Sequence, residues 1–307
     1  MPIRRRAVLG LIAASALVPA RAVAQDRLPV VASVSILGDL VARVGGDRVA
    51  VTVLVGPDGD AHVFQPSPAD ARAVAGARAV VVNGLGFEPW LDRLIEAAGY
   101  AGPVIVASRD VTPLALARGE ADDPDHAADD HGPADPHAWQ DVANARLYVA
   151  AIAEGLAAAD PGGAATYRAN AAAYGAELDA LDAAIRAAVA ALPPDRRRIV
   201  TSHDAFAYFA RAYGVTFVAP QGMSTEAEAS AADVAALIAQ VRAEGTPALF
   251  LENVSDPRLL DRIAAETGAA IGGTLYSDAL SGPEGPAASY LAMMRHNIAT
   301  LTAALGD

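Results

Sequence analysis

Eight short apolar segments rich in β-branched residues recur along the chain, and they constrain its fold more than any other feature. They alternate with stretches in which apolar residues recur every three or four positions, as in Ile36, Leu40 and Val44. This alternation is typical of parallel sheets covered by helices on both faces. The predicted strands are Leu28–Val34, Val49–Val55, Ala79–Val82 and Pro103–Ala107 in the first half, and Arg198–Ser202, Val215–Ala219, Ala248–Leu251 and Ala270–Leu275 in the second.

The two halves of the chain resemble each other at one constant offset. A shift of 169 residues places Val30–Ser33 on Ile199–Ser202, Leu91–Leu94 on Leu260–Ile263, and Ile105–Ser108 on Thr274–Ser277. We therefore predict an α/β protein of two (βα)4 lobes, each with a parallel four-stranded sheet, related by duplication.

A single long helix is predicted between the lobes, over Ala164–Leu192. Its apolar stripe consists of Tyr167, Ala171, Tyr174, Leu178, Leu181, Ile185, Ala188 and Leu192. Pro161 fits its start and Pro193–Pro194 its end. At about 1.5 Å per residue the helix would be roughly 44 Å long, enough to join both lobes. The predicted organisation is a signal peptide (1–24), an N-terminal lobe (25–163), this linking helix (164–192) and a C-terminal lobe (193–307).

The N-terminus has the features of a cleavable export signal. Arg4–Arg6 precede an apolar stretch, Ala7–Val18, and Ala22–Ala24 form a small-residue cleavage site, so the mature chain is expected to begin at Gln25. Arg5–Leu9 also resembles a twin-arginine signal, although the general secretory route is favoured. A buried N-terminal helix is the alternative. We expect a periplasmic protein.

Cysteine content and charge exclude several classes of function. The chain has no cysteine, so disulfides, thiolate ligands and a lipid-bearing cysteine are excluded, and we expect no membrane anchor. Removal of residues 1–24 takes away four arginines, and the net charge changes from −13 to −17 because 19 basic residues then face 36 acidic ones. Such a surface repels nucleic acid. Either it attracts cations weakly or it serves only solubility.

Four residues lie just beyond the ends of predicted strands or in the loops that follow them, and they form a metal-ligand set: His62, His137, His203 and Asp278. In open α/β sheets, sites form outside the carboxyl ends of the strands, and three imidazoles with one carboxylate suit Zn²⁺. Taken singly, each residue could be a solvated or helix-capping side chain. Asp60 is predicted to accept the second ring N–H of a ligating histidine.

Five segments carry a resemblance to a known family: Asp60–Pro68, Asp135–Trp139, Ser202–Phe209, Ser224–Ser230 and Tyr276–Asp278. Over nearly its whole mature length the chain resembles the zinc/manganese-type periplasmic substrate-binding proteins of ABC transporters. The resemblance implies one metal ion held in the cleft between two lobes that a long helix joins. It places this site on His62, His137, His203 and Asp278, with an ABC permease and its ATPase as partners.

The third site position favours zinc within that family. Manganese-type members tend to have glutamate where this chain has His203, and imidazole suits Zn²⁺ better than Mn²⁺. A manganese- or iron-binding member of the family is one alternative; a zinc metallochaperone or adhesin is another. A zinc hydrolase is disfavoured, since four protein ligands leave no open position and no His-Glu-x-x-His motif is present. We expect no enzymatic activity.

Two further segments carry auxiliary predictions. The acidic segment 118–136, with His126 and His131, occupies the place of a His-rich loop in zinc-type relatives; it is a solvated linker, a weak metal-collecting loop or a docking surface for a zinc-delivering chaperone. Glu226 and Glu228 are predicted to cap a following helix, with Glu226 as a candidate neighbour of the metal site. His296 and Trp90 are expected to be structural, and the protein to be a monomer.

Overall fold

Two parallel four-stranded sheets form the framework of the protein. The structure, a computed structural model, describes residues 27–115, 134–245 and 248–306. The strands are β1 (Leu28–Val34), β2 (Val49–Val55), β3 (Ala79–Val82), β4 (Val104–Val106), β5 (Arg198–Val200), β6 (Thr216–Val218), β7 (Ala248–Glu252) and β8 (Ala270–Leu275). Their orders are β2-β1-β3-β4 and β6-β5-β7-β8, and the pairings between them are parallel. The predicted fold class is confirmed.

The predicted strands β1, β2, β3 and β8 have the bounds found in the structure, whereas β4 and β6 are one residue shorter at each end, β7 is one residue longer and β5 is two residues shorter. The largest difference is in β5, which ends at Val200 instead of Ser202. The backbone N–H of Ser202 donates to a carboxylate oxygen of Glu252 at 2.7 Å. The Ser202 N–H, which the apolar pattern alone would assign to the sheet, is therefore bonded to a side chain instead.

The two sheets share one strand order, as expected of duplicated lobes. The 169-residue shift places the start of β3 on the start of β7 and the whole of β4 within β8, whereas β6 begins two residues earlier than the shift predicts. The duplication itself stays a prediction, which the common order supports.

Nine helices lie within the described residues: α1 (Ser35–Gly45), α2 (Pro68–Ala75), α3 (Leu91–Ala98), α4 (Val142–Ala159), α5 (Ala164–Ala191), α6 (Ala207–Tyr213), α7 (Ala231–Glu244), α8 (Arg258–Thr267) and α9 (Tyr290–Leu305). The start of α2 shows how sequence fixes a boundary near the site. Ser67 accepts from the backbone N–H of Asp70, whose carboxylate accepts in return from the Ser67 N–H, and Pro68 stands at the first helical position.

The long helix α5 links the lobes and ends one residue before the predicted bound. Its buried side chains Tyr167, Tyr174, Leu178, Leu181, Ile185 and Val189 are spaced by three, four or seven positions, which places them on one face of the helix. The helix packs against α1 and α4 and also against α6 and α9. The helix therefore contacts elements that precede it and elements that follow it.

One of the described helices, α4, has the length and apolar composition of a membrane span, but more than half of it is buried within the protein. It packs against α1, α5 and the first sheet, as the central helix of a protein core does.

The main apolar core runs from the first sheet through α1, α4 and α5 to α6 and α9. A smaller cluster fills the space between the second sheet and α7 and α8: Val200, Leu237, Val241, Leu249, Leu260 and Ile263. Because the C-terminal helix α9 packs against α1 as well as against β8, the end of the chain contacts both lobes. The exact lobe bounds 25–163, 164–192 and 193–307 remain a proposal.

Candidate metal centre

Three of the four predicted ligand residues lie a few residues beyond the carboxyl end of a strand. His62 follows β2, and His137 lies in a short turn before α4. His203 follows β5, where it forms a parallel bridge with Gln221, and Asp278 follows β8. Two ligands thus come from the chain before α5 and two from the chain after it.

The structure brings these four side chains together around one point. One ligand atom from each lies within 4.8 Å of the corresponding atoms of the others. Asp278 Oδ2 lies 3.0 Å from His62 Nε2 and 3.2 Å from His203 Nε2, and Asp278 Oδ1 lies 3.6 Å from His137 Nε2. The three ring centroids are 5.5 to 5.8 Å apart. All three histidines therefore present Nε2 to the same carboxylate.

The cluster is closed off from solvent, with the side chains of all four residues fully buried. Two atoms that face its centre, Nε2 of His137 and Oδ1 of Asp278, have no hydrogen-bond partner among the described residues. Buried polar atoms are normally paired. A cation between these atoms would satisfy both.

The electrostatics of the cluster favour an ionised carboxylate. Burial raises the pKa of Asp278, but the neighbouring His137 and His203 and the hydrogen bonds from the rings lower it well below its usual value. Burial lowers the pKa of His203, which Glu252 and Asp278 nevertheless raise well above its usual value. Burial also lowers the pKa of His137, but Asp278 and Asp135 together raise it above its usual value, whereas burial dominates for His62 and lowers its pKa. A divalent cation here would replace protons held by the rings.

Two carboxylates that the sequence analysis did not single out contact the far sides of the rings. Asp135 Oδ1 accepts from Nδ1 of His137 at 2.8 Å and from its backbone N–H, also at 2.8 Å. Glu252 Oε2 lies 2.8 Å from Nδ1 of His203. Two features of the sequence could have pointed to these carboxylates. Asp135 lies two residues before His137, and Glu252 is the carboxylate at the end of β7.

Asp60 makes a different contact from the one predicted. Its Oδ1 accepts the backbone N–H of His62 at 2.9 Å, because a carboxylate two residues earlier folds back onto the main chain as in an Asx-turn. Its Oδ2 accepts the hydroxyl of Thr225 at 2.5 Å. Asp60 therefore holds the His62 backbone and joins loops from the two halves of the chain.

The predicted capping by Glu226 and Glu228 is corrected by the structure. The helix α7 begins later, at Ala231, and Ser230 caps it by accepting from the backbone N–H of Asp233. Glu226 is exposed, and its backbone N–H donates to Ser224 Oγ. His296 contacts the Thr274 carbonyl oxygen and the Tyr276 ring and is not one of the clustered residues.

Aromatic side chains form the wall behind the imidazoles. Phe87 lies edge-on to His62 and His137, with centroids 5.1 and 5.8 Å away. It is presented by a tight turn in which Gly84 has φ of 83°; a Cβ there would lie 2.6 Å from a methyl of Val106. Trp90 is 3 % exposed and donates to the Ala61 carbonyl, so it packs as expected.

The segment before Asp278 is fixed from the other half of the chain. Trp139 Nε1 donates to the Ser277 carbonyl at 2.9 Å, and Gln140 Nε2 donates to the same oxygen at 2.8 Å. The residues next to His137 therefore also place the backbone that carries Asp278.

A cavity of about 530 Å³ lies beside the cluster, lined by Asp60 and Val63 on one side and by Thr225, Glu228 and Arg258 on the other. None of the four clustered side chains lines it. Passage of an ion between this cavity and the cluster therefore requires local movement.

Some of the predicted features lie outside the described residues. These are the signal peptide 1–24 and both loop histidines, His126 and His131. Among the described residues near that segment, Ala115 and Ala134 form an antiparallel bridge.

Comparison with known proteins gives consistent matches over nearly the whole chain. Residues 30–304 match the family described as ZnuA, zinc-uptake complex component A, periplasmic. The manganese-binding lipoprotein MntA of Halalkalibacterium halodurans is 34% identical over 283 residues, covering 92% of this chain and 90% of MntA. The iron-binding protein YfeA of Yersinia pestis is 30% identical over 312 residues, covering 99% and 97%.

Among solved structures, the periplasmic zinc-binding protein TroA of Treponema pallidum superposes with a TM-score of 0.83 at 30% identity. The match covers 91% of this chain and 99% of the TroA chain. The arrangement of two lobes and a linking helix is thus shared with a protein whose name records metal binding.

Proposed function

Because the chain belongs to the ZnuA family of periplasmic metal-binding, substrate-binding components of ABC importers, we propose that it captures Zn²⁺ and delivers it to an ABC permease. Proteins of this family bind solutes and are not enzymes. The similar proteins carry names that record manganese, iron and zinc, so the choice of zinc is the part that needs its own argument.

The observation that carries the proposal is the ligand set itself: three imidazole nitrogens and one carboxylate oxygen within 4.8 Å of one another, all buried. Nitrogen-rich sets of four suit tetrahedral Zn²⁺, whereas Mn²⁺ favours more oxygen ligands. His203 is decisive, since a carboxylate in its place would make the set half oxygen. Asp278 supplies one negative charge to the site.

Four protein ligands also fit carriage better than catalysis. A closed tetrahedron leaves no position at which a water molecule could be activated. The ion would be bound for transport and then released as the cluster opens. We propose His62, His137, His203 and Asp278 as the ligands, and Zn²⁺ as the cargo.

The proposed location is the periplasm, after removal of residues 1–24. Several relatives are named lipoproteins. Because this chain has no cysteine to carry a lipid, we propose that it is free in the compartment, and we propose separately that it is a monomer. Its proposed partners are a permease with its ATPase and a zinc-delivering chaperone that docks on segment 118–136.

Metal competition on the purified protein tests the proposal. Residues 25–307 are freed of metal, and Zn²⁺, Mn²⁺ and Fe²⁺ are titrated in the presence of a chelator of known affinity. We expect Zn²⁺ to be retained most tightly at a stoichiometry of one. Tighter retention of Mn²⁺ or Fe²⁺ would instead favour the manganese- or iron-binding alternative.

Matched variants test the ligand assignment. Replacing His62, His137 or His203 with alanine should sharply weaken zinc binding, because each removes one donor from a closed site. The control is His296→Ala, which removes an imidazole outside the cluster, where it contacts the Thr274 carbonyl, the Thr300 hydroxyl and the Tyr276 ring. Equal affinity of the His203→Ala and His296→Ala proteins would contradict the assignment.

A further inference from the structure

The carboxylate of Glu252, at the end of β7, connects the end of β5 to the ring of His203. Oε1 accepts the backbone N–H of Ser202 at 2.7 Å and that of His203 at 2.9 Å. Oε2 lies 2.8 Å from Nδ1 of His203, to one side of the ring N–H direction. Both side chains are fully buried. One oxygen thus fixes the backbone, and the other faces the imidazole.

The first lobe offers an internal comparison for this pair. The 169-residue shift places His203 on Val34 and Glu252 on Asn83. Asn83 uses its side chain to accept from the Tyr148 hydroxyl and to donate to backbone carbonyls. In the second lobe, a carboxylate at the end of β7 accompanies an imidazole beyond the end of β5. The first lobe has neither at the equivalent positions.

A buried carboxylate without an imidazole is also present in the first lobe. Glu88 accepts from the Ser33 hydroxyl at 2.6 Å and from the backbone N–H groups of Asn83 and Gly84. Like Glu252, it is buried and accepts hydrogen bonds from two backbone N–H groups, but none of these hydrogen bonds involves a histidine ring. Glu88 is therefore a natural control for the structural part of the role of Glu252.

We propose that Glu252 is a positioning residue that keeps His203 in the Nδ1–H tautomer, with the lone pair of Nε2 directed at the cation. This rests on the proposed function. An imidazole nitrogen binds a metal only when it carries no proton, and the partner of the other nitrogen decides which one that is. A small rotation of the ring brings its N–H into line with Oε2 as Nε2 turns from Asp278 to the ion.

Replacement of Glu252 by glutamine has a consequence that follows from the contacts. Two backbone N–H groups face the Oε1 position, so the amide must keep its oxygen there and its NH2 group at the position of Oε2. That NH2 group then faces Nδ1 of His203. A donor facing Nδ1–H is repulsive, so the ring favours the Nε2–H tautomer, which turns a proton toward the metal position.

Replacement by methionine separates positioning from structural support. Methionine has a similar shape but accepts no hydrogen bond, so both backbone N–H groups lose their partner and the protein becomes less stable than with glutamine. It also places no donor against Nδ1. The two variants should therefore rank in opposite orders, with glutamine the more stable and methionine the tighter zinc binder.

The experiment measures zinc affinity by chelator competition and thermal stability for Glu252→Gln, Glu252→Met and Glu88→Gln. We expect Glu252→Gln to bind zinc about 10- to 100-fold more weakly than the unaltered protein, and Glu88→Gln to bind nearly as the unaltered protein does. If Glu252→Gln and Glu88→Gln have the same affinity, or if affinity simply follows stability among the three, the proposal is overturned.

A measurement on the unaltered protein keeps the proposal testable if the variants fail to fold. With 15N-labelled histidine and 113Cd²⁺ in place of zinc, we expect scalar coupling of the metal to Nε2 of His203; coupling to Nδ1 would overturn the proposal. His203→Ala separates the two claims. If it binds zinc normally, the proposed ligand set fails, whereas loss of zinc together with an unaffected Glu252→Gln rejects only the role of Glu252.

Discussion

Replacing Asp278 with asparagine should strongly destabilise the protein when no metal is bound. Asp278 is the carboxylate that all three imidazoles face, with Oδ to Nε2 distances of 3.0, 3.2 and 3.6 Å. Without a cation, the raised pKa values of His137 and His203 keep these rings positively charged over a wider pH range than usual. Asparagine is nearly isosteric, so the main change is the loss of the compensating charge.

The expected size of the effect follows from burial. Removing one partner of a buried ion pair costs about 3–5 kcal/mol, because the remaining charge stays out of water. A protein of this size loses about 2–4 °C of melting temperature per kcal/mol, which gives a decrease of about 6–20 °C. The control is Asp110→Asn, which breaks an exposed pair with Arg109 and should change stability by less than about 1 kcal/mol.

The pH dependence adds a second criterion. The pKa of Asp278 is lowered, so its contribution is present above the ordinary value of 3.8 and is lost as pH falls through its folded value. The pKa values of His137 and His203 are raised, so their contribution is complete below 6.5 and is lost as pH rises through their folded values. The deficit of the asparagine variant should therefore be largest between pH 3.8 and 6.5.

Thermal unfolding followed by circular dichroism, in excess chelator, measures this deficit across the pH range. We expect the melting temperature of the asparagine variant to lie far below that of the unaltered protein in acidic buffer, and the difference to become smaller in alkaline buffer. A decrease no larger than that of Asp110→Asn, or one that does not change with pH, would refute the ionic account of the cluster.

Three further predictions follow from contacts around the site. Zinc affinity, measured by isothermal titration, should already decrease as pH falls through values above 6.5, because the pKa values of His137 and His203 are raised and protons compete for their rings; a flat profile would argue against histidine ligands. Thr225→Val removes the hydroxyl that Asp60 accepts, so stopped-flow chelation should show faster zinc release with little change in melting temperature. Deletion of Glu120–Ala134 should leave the affinity of the main site nearly unchanged but slow zinc transfer from a donor protein, and a collapse in affinity would mean that the segment supplies a ligand.

The fold was predictable from sequence where the strands are continuous apolar runs. β3 consists wholly of valine and alanine and is buried throughout, and β1 is buried from Val30 to Val34, so both read as continuous buried strands in the sequence. The end of β5 was not predictable in the same way, since it depends on a Glu252 carboxylate 50 residues away along the chain. Local sequence patterns do not reveal which distant side chain will accept a hydrogen bond from a given backbone N–H.

The four clustered residues were found because strand ends converge in parallel α/β sheets. Their outer partners were harder to find. Asp135 is two residues from His137 and could have been considered, whereas Glu252 looks like the end of an apolar strand followed by a loop. Asp60 shows the opposite limitation: its proximity to His62 in sequence led to a ring contact being predicted, but the short spacing favours the backbone N–H instead.

The most direct test of the central claim is a crystal structure of the zinc-loaded protein with anomalous data collected on both sides of the zinc absorption edge. The account predicts one strong anomalous peak, bound by Nε2 of His62, His137 and His203 and by a carboxylate oxygen of Asp278. A peak elsewhere in the protein, or one from which any of these four side chains points away, would contradict it.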